Sequence, residues 1–280
     1  MVTETLPSRR RRPIGPWLLT GAVVAWFAVL ILVPTLALLR AALARGFGPF
    51  AQALASPDAQ RAFALTLWIT LLATAVNTIF GLALAVVLVR QKFWGTTLVD
   101  GLVDLPFAVS PIVAGLMLVI LYGPQGWLGT WLERAGLRVV YSWPGMLLAT
   151  TFVTLPFVVR EVVPVLREFG VDQEEVAYTL GAGRWRTFWR VTLPSIRWGL
   201  AYGVTLTVAR ALGEFGALLV VSGNILGRTQ TATLYIHDGI ESFNNEGAYA
   251  ASLLLAGVSF VLLIGMETLR KRVEAHERVS

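Results

Sequence analysis

Long apolar runs, separated by short polar stretches, make up most of the 280 residues. An α-helix needs about 20 mainly apolar residues to cross the hydrocarbon core of a bilayer. Six runs meet this requirement, at residues 17–39, 62–89, 97–122, 145–163, 199–222 and 248–269. The pattern therefore predicts an all-α polytopic membrane protein with six transmembrane helices.

The basic residues predict how these spans are oriented. We divide the chain into a basic N-terminal tail (1–16), a membrane domain (17–269) and a basic C-terminal tail (270–280). With the N-terminus inside, 16 of the 23 Lys and Arg residues fall on inner segments and six on outer ones, and Arg210 lies within the fifth span. The positive-inside rule then predicts that both termini are cytoplasmic. Because topology accounts for the net charge of +6, we do not interpret it as nucleic-acid binding.

Polar residues inside two spans indicate contact with protein or water rather than lipid. The second span places four of them on one helix face: Thr66, Thr70, Thr74 and Asn77. Small polar side chains at this spacing favour helix–helix packing. The third span carries Asp100 and Asp104, and we expect Pro106 and Pro111 to interrupt its backbone. Such features are tolerated at membrane depth where neighbouring protein or water satisfies the freed groups.

The most polar stretch, Asp172–Pro194, lies between the fourth and fifth spans, and we call it the knob. Asp172 is predicted to cap the N-terminus of a short helix, and Glu175 to reach back to the backbone of the capping residue. Gly181 and Gly183 then break this helix. Two short helices joined at a glycine elbow are therefore expected.

The second short helix of the knob is predicted to be amphipathic. Trp185, Phe188 and Trp189 share one face, and arginines occupy the remaining faces. Pro194 is expected to end the helix, because the residue before a proline is disfavoured in the α conformation. An exposed aromatic face is expected to be buried against another surface.

Composition and motifs exclude several kinds of chemistry. The chain has no cysteine and only two histidines, His237 and His276, which excludes disulfides, thiolate catalysis and a histidine-rich metal site. No Walker-type glycine loop with lysine, no Gly-x-Ser-x-Gly elbow and no zinc spacing occurs. A membrane-embedded enzyme is the alternative function from another class, but the sequence contains no nucleophile–base constellation that would support it. We expect no catalytic residue, no metal and no cofactor, and an energy source on another chain.

The spacing within the knob resembles the EAA loop of ABC-importer permeases. Glu175-Val176-Ala177 is followed by three residues, Gly181, nine residues and Val191-Thr192-Leu193-Pro194. The pattern of that family is Glu-Ala-Ala, three residues, Gly, nine residues and Ile-x-Leu-Pro. Val176 and Val191 depart from it by small-to-medium apolar replacements, which leave the knob plausible.

The resemblance implies that the knob couples the membrane domain to an ATPase, because the loop of that family sits in a groove of the cytoplasmic ATPase. The residues implied in coupling are Glu175, Val176, Ala177, Gly181, Val191, Leu193 and Pro194. An amphipathic hairpin lying on the membrane surface is the alternative interpretation. A passive anion channel is a further rival, but it would not need a coupling signature.

Residues 105–116 look like the third-span motif of sulfate and molybdate permeases, and residues 152–162 and 188–194 are also similar. Residues 209–217 with 220–225 resemble the W-type permease subunit of sulfate and thiosulfate ABC importers. The likeness extends over residues 60–265. It implies the type I (MetI-like) ABC permease fold with a cytoplasmic EAA coupling loop, and uptake of sulfate or thiosulfate. Molybdate and tungstate permeases share much of the pattern, so they remain the alternative.

The same resemblance implies a complex in the cell inner membrane. Its other members would be an ABC ATPase in two copies, a second homologous permease subunit of T type and an extracytoplasmic sulfate-binding protein. No nucleic acid is expected. Residues 222–224 and 228–230, at the predicted outer rim, either contact the binding protein or form a solvated loop.

Arg210 and Glu214 lie one helical turn apart in the fifth span, with Arg210 near the bilayer centre. A charge at that depth costs on the order of 2.5–3.5 kcal/mol, so both side chains should face protein or water. Two interpretations stay open. The residues form an intrahelical pair that neutralises itself, or they line the translocation path of the anion.

Overall fold

The computed structural model describes residues 14–277, and every regular element in that range is helical. The α-helices are α1 (Ile14–Ala42), α2 (Phe47–Ala55), α3 (Pro57–Arg90), α4 (Thr96–Ala108), α5 (Pro111–Tyr122), α6 (Gly129–Arg134), α7 (Trp143–Phe169), α8 (Asp172–Thr179), α9 (Arg184–Thr187), α10 (Leu193–Leu212), α11 (Gly216–Val221), α12 (Ala232–Glu241) and α13 (Asn245–Glu277). One π-helical turn, Phe188–Thr192, lies between α9 and α10. The predicted N-terminal tail lies outside the described residues except for 14–16, which begin α1, and the predicted C-terminal tail starts inside α13.

Four of the described helices, α1, α3, α7 and α13, are long and apolar enough to cross a membrane. α4 and α5 meet the same criterion as a pair, although they are bent by 113° at their junction. α10 has 20 residues, a length of about 30 Å that matches the bilayer core. The all-α polytopic architecture is thus confirmed. The third predicted span is built from the broken pair α4 and α5, and the fifth corresponds to α10 and α11, which are not among the helices that meet the criterion.

The bend in the third span comes from one of its two prolines. Val109 and Ser110 have extended backbone, because the residue before a proline is disfavoured in the helical conformation. Pro111 then begins α5, where its missing N–H removes no helical bond. Pro106 is buried inside α4, which continues to Ala108. The prediction that Pro106 also interrupts the backbone was wrong, because α4 continues through this residue to Ala108.

α7 lies at the centre of the packing and contacts α3, α4, α5, α10 and α11. Two apolar clusters are built around it. The knob-side cluster consists of Ala85, Leu88, Val103, Val158, Val159, Val162, Val163, Leu166 and Ile196. The far cluster consists of Ile69, Met146, Ala149, Val153, Ala217, Leu218, Val221 and Leu234. α7 runs to Phe169, beyond the predicted end at residue 163, so the knob starts almost directly from a packed helix.

The polar face predicted on α3 packs against other helices, with Asn77 bonded to α7 and Thr66 accepting the N–H of Ala232 at the start of α12, which confirms that prediction. The four residues of this face are all buried: Thr66, Thr70, Thr74 and Asn77. Asn77 Nδ2 donates to Thr154 Oγ1 at 2.7 Å and to the carbonyl oxygen of Thr151 at 3.1 Å. These bonds satisfy amide hydrogens that would be costly to expose to lipid.

Candidate functional site

The first half of the knob is α8, which ends in a Schellman turn. The N–H of Gly181 donates to the carbonyl of Tyr178 at 2.9 Å, and that of Ala182 to the carbonyl of Ala177 at 3.0 Å. Gly181 has a φ of +84°. Because side chains are strained in this left-handed region, the turn favours glycine. The predicted glycine elbow is therefore confirmed at this position.

The predicted cap of α8 was wrong. Asp172 is already the first helical residue, and Val171 precedes it without a side-chain cap bond. The backbone N–H of Glu175 donates to the carbonyl of Val171 at 2.9 Å, as in any first turn. Asp172, Glu174 and Glu175 instead place three carboxylates in that turn, where the helix dipole favours negative charge.

The prediction that Pro194 ends the second helix of the knob was also wrong. α9 passes into the π turn, in which the N–H of Leu193 donates to the carbonyl of Phe188, five residues back. Pro194 then falls in the first turn of α10, where the absence of an N–H is tolerated. The second half of the knob is therefore continuous with α10, without a loop between them.

The aromatic face predicted on the second half exists as a cluster of three rings. The ring centroids of Trp185 and Trp189 are 5.6 Å apart, and those of Phe188 and Trp189 are 5.7 Å apart. The cluster lies at the surface, because Trp185 is 74% exposed. Val176 and Leu180 of the first half are 57% and 83% exposed. A polar segment thus presents large apolar side chains to its surroundings, which marks an interaction surface.

A buried polar junction, which sequence reasoning missed, lies behind this surface. Arg90, the last residue of α3, donates through Nη2 to Glu174 Oε1 at 3.1 Å and to the carbonyl of Gly170 at 2.6 Å. Its Nη1 donates to the carbonyl of Leu166 at 3.4 Å. The hydroxyl of Thr192 donates to the same Glu174 oxygen at 2.7 Å. The junction joins α3, the end of α7, α8 and the π turn.

The seven residues of the EAA-like signature divide into two groups. Exposed on the surface are Glu175, Val176, Gly181 and Pro194, and half-buried are Ala177, Val191 and Leu193. Leu193 packs against the knob-side cluster. The signature therefore combines an outward surface with contacts to the membrane helices.

Arg210 and Glu214 form an ion pair across the end of a helix rather than within one helix. Arg210 lies in α10, which ends at Leu212, and Glu214 lies between α10 and α11. Arg210 Nη1 lies 2.8 Å from Glu214 Oε2, without the alignment of a hydrogen bond. Glu214 Oε1 accepts the N–H of Ala217 at 2.9 Å, and the Glu214 carbonyl accepts the hydroxyl of Thr233 at 2.7 Å. The Glu214 side chain is fully buried, whereas that of Arg210 is 32% exposed. The carboxylate is fixed among three helices while the guanidinium reaches an accessible surface.

A second charged cluster, also missed, joins α4 to α7. Arg160 Nε and Nη2 donate to the two carboxylate oxygens of Asp104 at 2.6 and 2.7 Å, and Nη1 donates to Asp100 Oδ1 at 2.8 Å. This forked geometry is the strong form of an arginine–carboxylate pair. The two carboxylates thus serve to hold α4 on α7. Within residues 14–277, no group of three or more His, Asp or Glu side chains is arranged to hold a metal ion.

The two segments predicted at the outer rim are only partly exposed, at Gly223 and Arg228. Ser222, Thr229 and Gln230 are buried. Gln230 Nε2 donates to Asp238 Oδ2 at 2.7 Å, and Asn224 Nδ2 donates to Asp238 Oδ1 at 2.8 Å. These segments fold inward onto α12, so both interpretations offered for them, a docking contact and a solvated loop, were wrong for the three buried residues.

Comparison with known proteins places this arrangement in a family. Residues 77–275 match the family model described as binding-protein-dependent transport system inner membrane component. The chain is 47% identical to the sulfate transport system permease protein CysW of Synechocystis sp. over 279 residues, covering 100% of both chains. It is 46% identical to the protein of the same name from Escherichia coli K12, covering 95% of this chain and 92% of that protein. It is also 38% identical to the sulfate transport system permease protein CysT of that organism, covering 95% of each.

The fold recurs in a solved structure, that of a bacterial alginate ABC transporter in complex with its alginate pentasaccharide-bound periplasmic protein. The TM-score is 0.76 over 92% of this chain and 95% of that chain, at 22% identity. At this identity the likeness concerns the fold alone, and it confirms the expected ABC permease architecture. With the family model matching most of the sequence, the chain belongs to the inner membrane components of binding-protein-dependent transport systems, among the permeases of the CysW type.

Proposed function

We propose that this chain is the membrane permease subunit of an ATP-driven importer that takes up sulfate or thiosulfate. The observation that supports this proposal is the knob, which has EAA spacing and exposes apolar and aromatic side chains. The CysW and CysT relatives are named as sulfate transport permeases, which favours this class of anion. Since the family is a transport component, the chain has no catalysis of its own, and ATP hydrolysis belongs to a partner.

In this function the knob docks into a groove of the ATPase. Leu180 and Trp185 contribute apolar area whose removal from water favours association. Glu175 and Val176 lie on the same exposed segment, and Gly181 closes the turn between the two halves. Closure of the ATPase pair around ATP presses two knobs together. The π turn then transmits the displacement to α10, because no loop separates the two.

The complex contains a second, homologous permease of T type, two copies of the ATPase and an extracytoplasmic sulfate-binding protein. The solved alginate transporter, whose chain shares this fold, is described in complex with a periplasmic protein, which supports a binding-protein partner. Both termini and the knob lie in the cytoplasm. The bias of Lys and Arg toward the segments on that side supports this orientation.

The anion path runs past Arg210. A divalent anion in a low-dielectric bundle needs a compensating charge or directed donors. Arg210 supplies a planar set of donors suited to an oxyanion, and its partial exposure makes it accessible. Glu214 holds the guanidinium until the anion displaces that contact.

Purification of the native complex through a tag on this chain tests the assembly, and mass spectrometry then identifies its partners. The purified complex is reconstituted in vesicles, and uptake of radiolabelled sulfate, thiosulfate and molybdate is compared. ATP-dependent uptake of sulfate with thiosulfate supports the proposal. Preference for molybdate or tungstate would assign the other anion class of the same fold. Uptake that persists without ATP would instead identify a passive channel.

A further inference from the structure

Thr192 uses its hydroxyl differently from the other serine and threonine residues of the same continuous helix. Between Phe188 and Leu212 these are Ser195, Thr205 and Thr207, and each donates to the carbonyl four residues earlier in that helix. This is the ordinary local bond of Ser and Thr in helices. Thr192 instead donates to Glu174 of α8. Its side chain therefore serves contact between the two halves of the knob.

Glu174 is the only described knob residue whose side chain hydrogen-bonds to a helix of membrane-crossing length. Its Oε1 receives both the Thr192 hydroxyl and the Arg90 guanidinium. Arg90 terminates α3, and it also holds the last carbonyl groups of α7. All of these groups are buried or nearly so. A displacement of α8 is therefore shared with α3, α7 and the π turn through one carboxylate oxygen.

We infer that the Arg90–Glu174–Thr192 junction transmits movement of the knob to the membrane helices, with Thr192 as a positioning residue. The inference rests on the proposed role of the knob as the ATPase docking surface. The junction lies behind that surface, so it does not itself contact the ATPase. Without the Thr192 bond, α8 and the π turn can move separately, and docking no longer moves α10 together with α3.

The mildest variant that tests this role is Thr192→Val, which removes the hydroxyl and preserves volume. Thr207→Val is the matched control, because Thr207 is equally buried but bonds within its own helix. Thr192→Ser retains the donor and should restore function. The three variants are purified as the complete transporter in vesicles. For each we measure ATPase retention, binding-protein-stimulated ATP hydrolysis and sulfate uptake per ATP hydrolysed.

We expect Thr192→Val to retain the ATPase and to hydrolyse ATP, while uptake per ATP falls by about 2- to 30-fold, the range of coupling changes measured within packed networks. Thr192→Ser and Thr207→Val should take up as much sulfate per ATP hydrolysed as the unaltered transporter. An unchanged ratio in Thr192→Val overturns the inference. So does a parallel loss of ATPase retention and hydrolysis, which would mean that the junction only maintains the folded knob. If Thr192→Val does not accumulate, Glu174→Gln, which keeps an acceptor oxygen but removes the charge, is judged by the same criteria.

A surface variant separates this inference from the proposed function. Leu180→Ala with Trp185→Ala leaves the junction intact and removes exposed apolar area. Loss of the ATPase from this variant supports docking at the knob. If the ATPase is retained at full affinity, the docking role fails, whatever the behaviour of Thr192→Val.

Discussion

Two arginine–glutamate pairs, each with a buried carboxylate, lie in different parts of the chain, and their surroundings differ. In the knob, Glu174 Oε1 accepts from both Arg90 and Thr192, and the terminal nitrogens of Arg90 also bond to the carbonyls of Leu166 and Gly170. At the break after α10, Glu214 is also held by further contacts, to Ala217 and Thr233. Arg210, by contrast, forms an ion pair with that carboxylate and is not seen to donate a hydrogen bond to another described residue.

The difference indicates which pair can exchange partners. An arginine whose donors are used by several fixed acceptors loses all of them when it moves, and buried charges left without partners are costly. An arginine with one ionic partner and a partly exposed side chain gives up only that contact when it moves, and the cost is set by the buried carboxylate that it leaves. This contrast matches the two proposals, in which the first pair transmits movement and the second releases and recovers its arginine during transport.

The largest effect is expected from Arg210→Leu. This change leaves Glu214 buried without its partner, and the loss of one member of a buried pair costs about 3–5 kcal/mol. We expect the variant to assemble poorly, as measured by the amount of intact complex recovered after purification. Assembly at the level of the unaltered protein would show that Glu214 does not depend on Arg210.

The double variant Arg210→Leu with Glu214→Leu sharpens the comparison, because it removes the stranded charge. We expect assembly to recover while sulfate uptake stays low, since the anion has lost its donor. Recovery of uptake together with assembly would reduce the pair to a structural clip between α10, α11 and α12, and would end the proposal for the anion path.

Gly181→Val should have the next largest effect, on the docking of the knob. A β-branched residue at a φ of +84° is expected to cost about 1–3 kcal/mol in backbone strain. Because the buried pair at Glu174 is not altered, the protein should remain in the membrane yet retain less ATPase in a pull-down. Glu175→Lys, which reverses a charge at the start of α8, should weaken retention in the same direction. Normal retention and normal ATP-driven uptake in both variants would exclude the knob as the docking element.

The features that could be predicted from the sequence are those encoded within a few neighbouring residues. Apolar run length gave the positions of the membrane helices, and steps of three and four residues identified the polar face around Asn77. The turn at Gly181 also followed from local rules. Two local rules failed at Asp172 and Pro194, because each is compatible with a first-turn position as well as with a helix boundary.

The polar junctions could not be predicted, because their partners are far apart in the chain. Arg90 and Glu174 are separated by 84 residues, and Arg160 and Asp104 by 56. Periodicity assigns each of these residues to a face of its own helix, but it does not say which faces meet. That information resides in the packing of α3 and α4 around α7, and no spacing within one span contains it.

Arg160→Gln should have a smaller effect than either buried pair. Its side chain is 30% exposed, and those of Asp100 and Asp104 are 37% and 51% exposed. Solvent screening at such exposure keeps the contribution below that of the pairs with a buried carboxylate, although the fork is well formed. We expect a modest decrease in the thermal midpoint of the purified complex, with Arg160→Lys intermediate because lysine keeps the charge but not the fork. A loss as large as that of Arg210→Leu would mean that another subunit buries this cluster in the assembled transporter.

The smallest effect is expected at the ion pair between Arg45 and Glu246, which joins the start of α13 to the turn before α2. Both side chains are largely exposed, at 74% and 45%, so water competes for each charge and the long side chains lose entropy when they pair. Arg45→Ala, Glu246→Ala and the double variant should each change the free energy of unfolding by no more than about 0.5 kcal/mol. Their sulfate uptake should equal that of the unaltered transporter. A clear loss of uptake with unchanged stability would show that this exposed pair contacts another subunit or the binding protein, which would add a second contact surface to the knob.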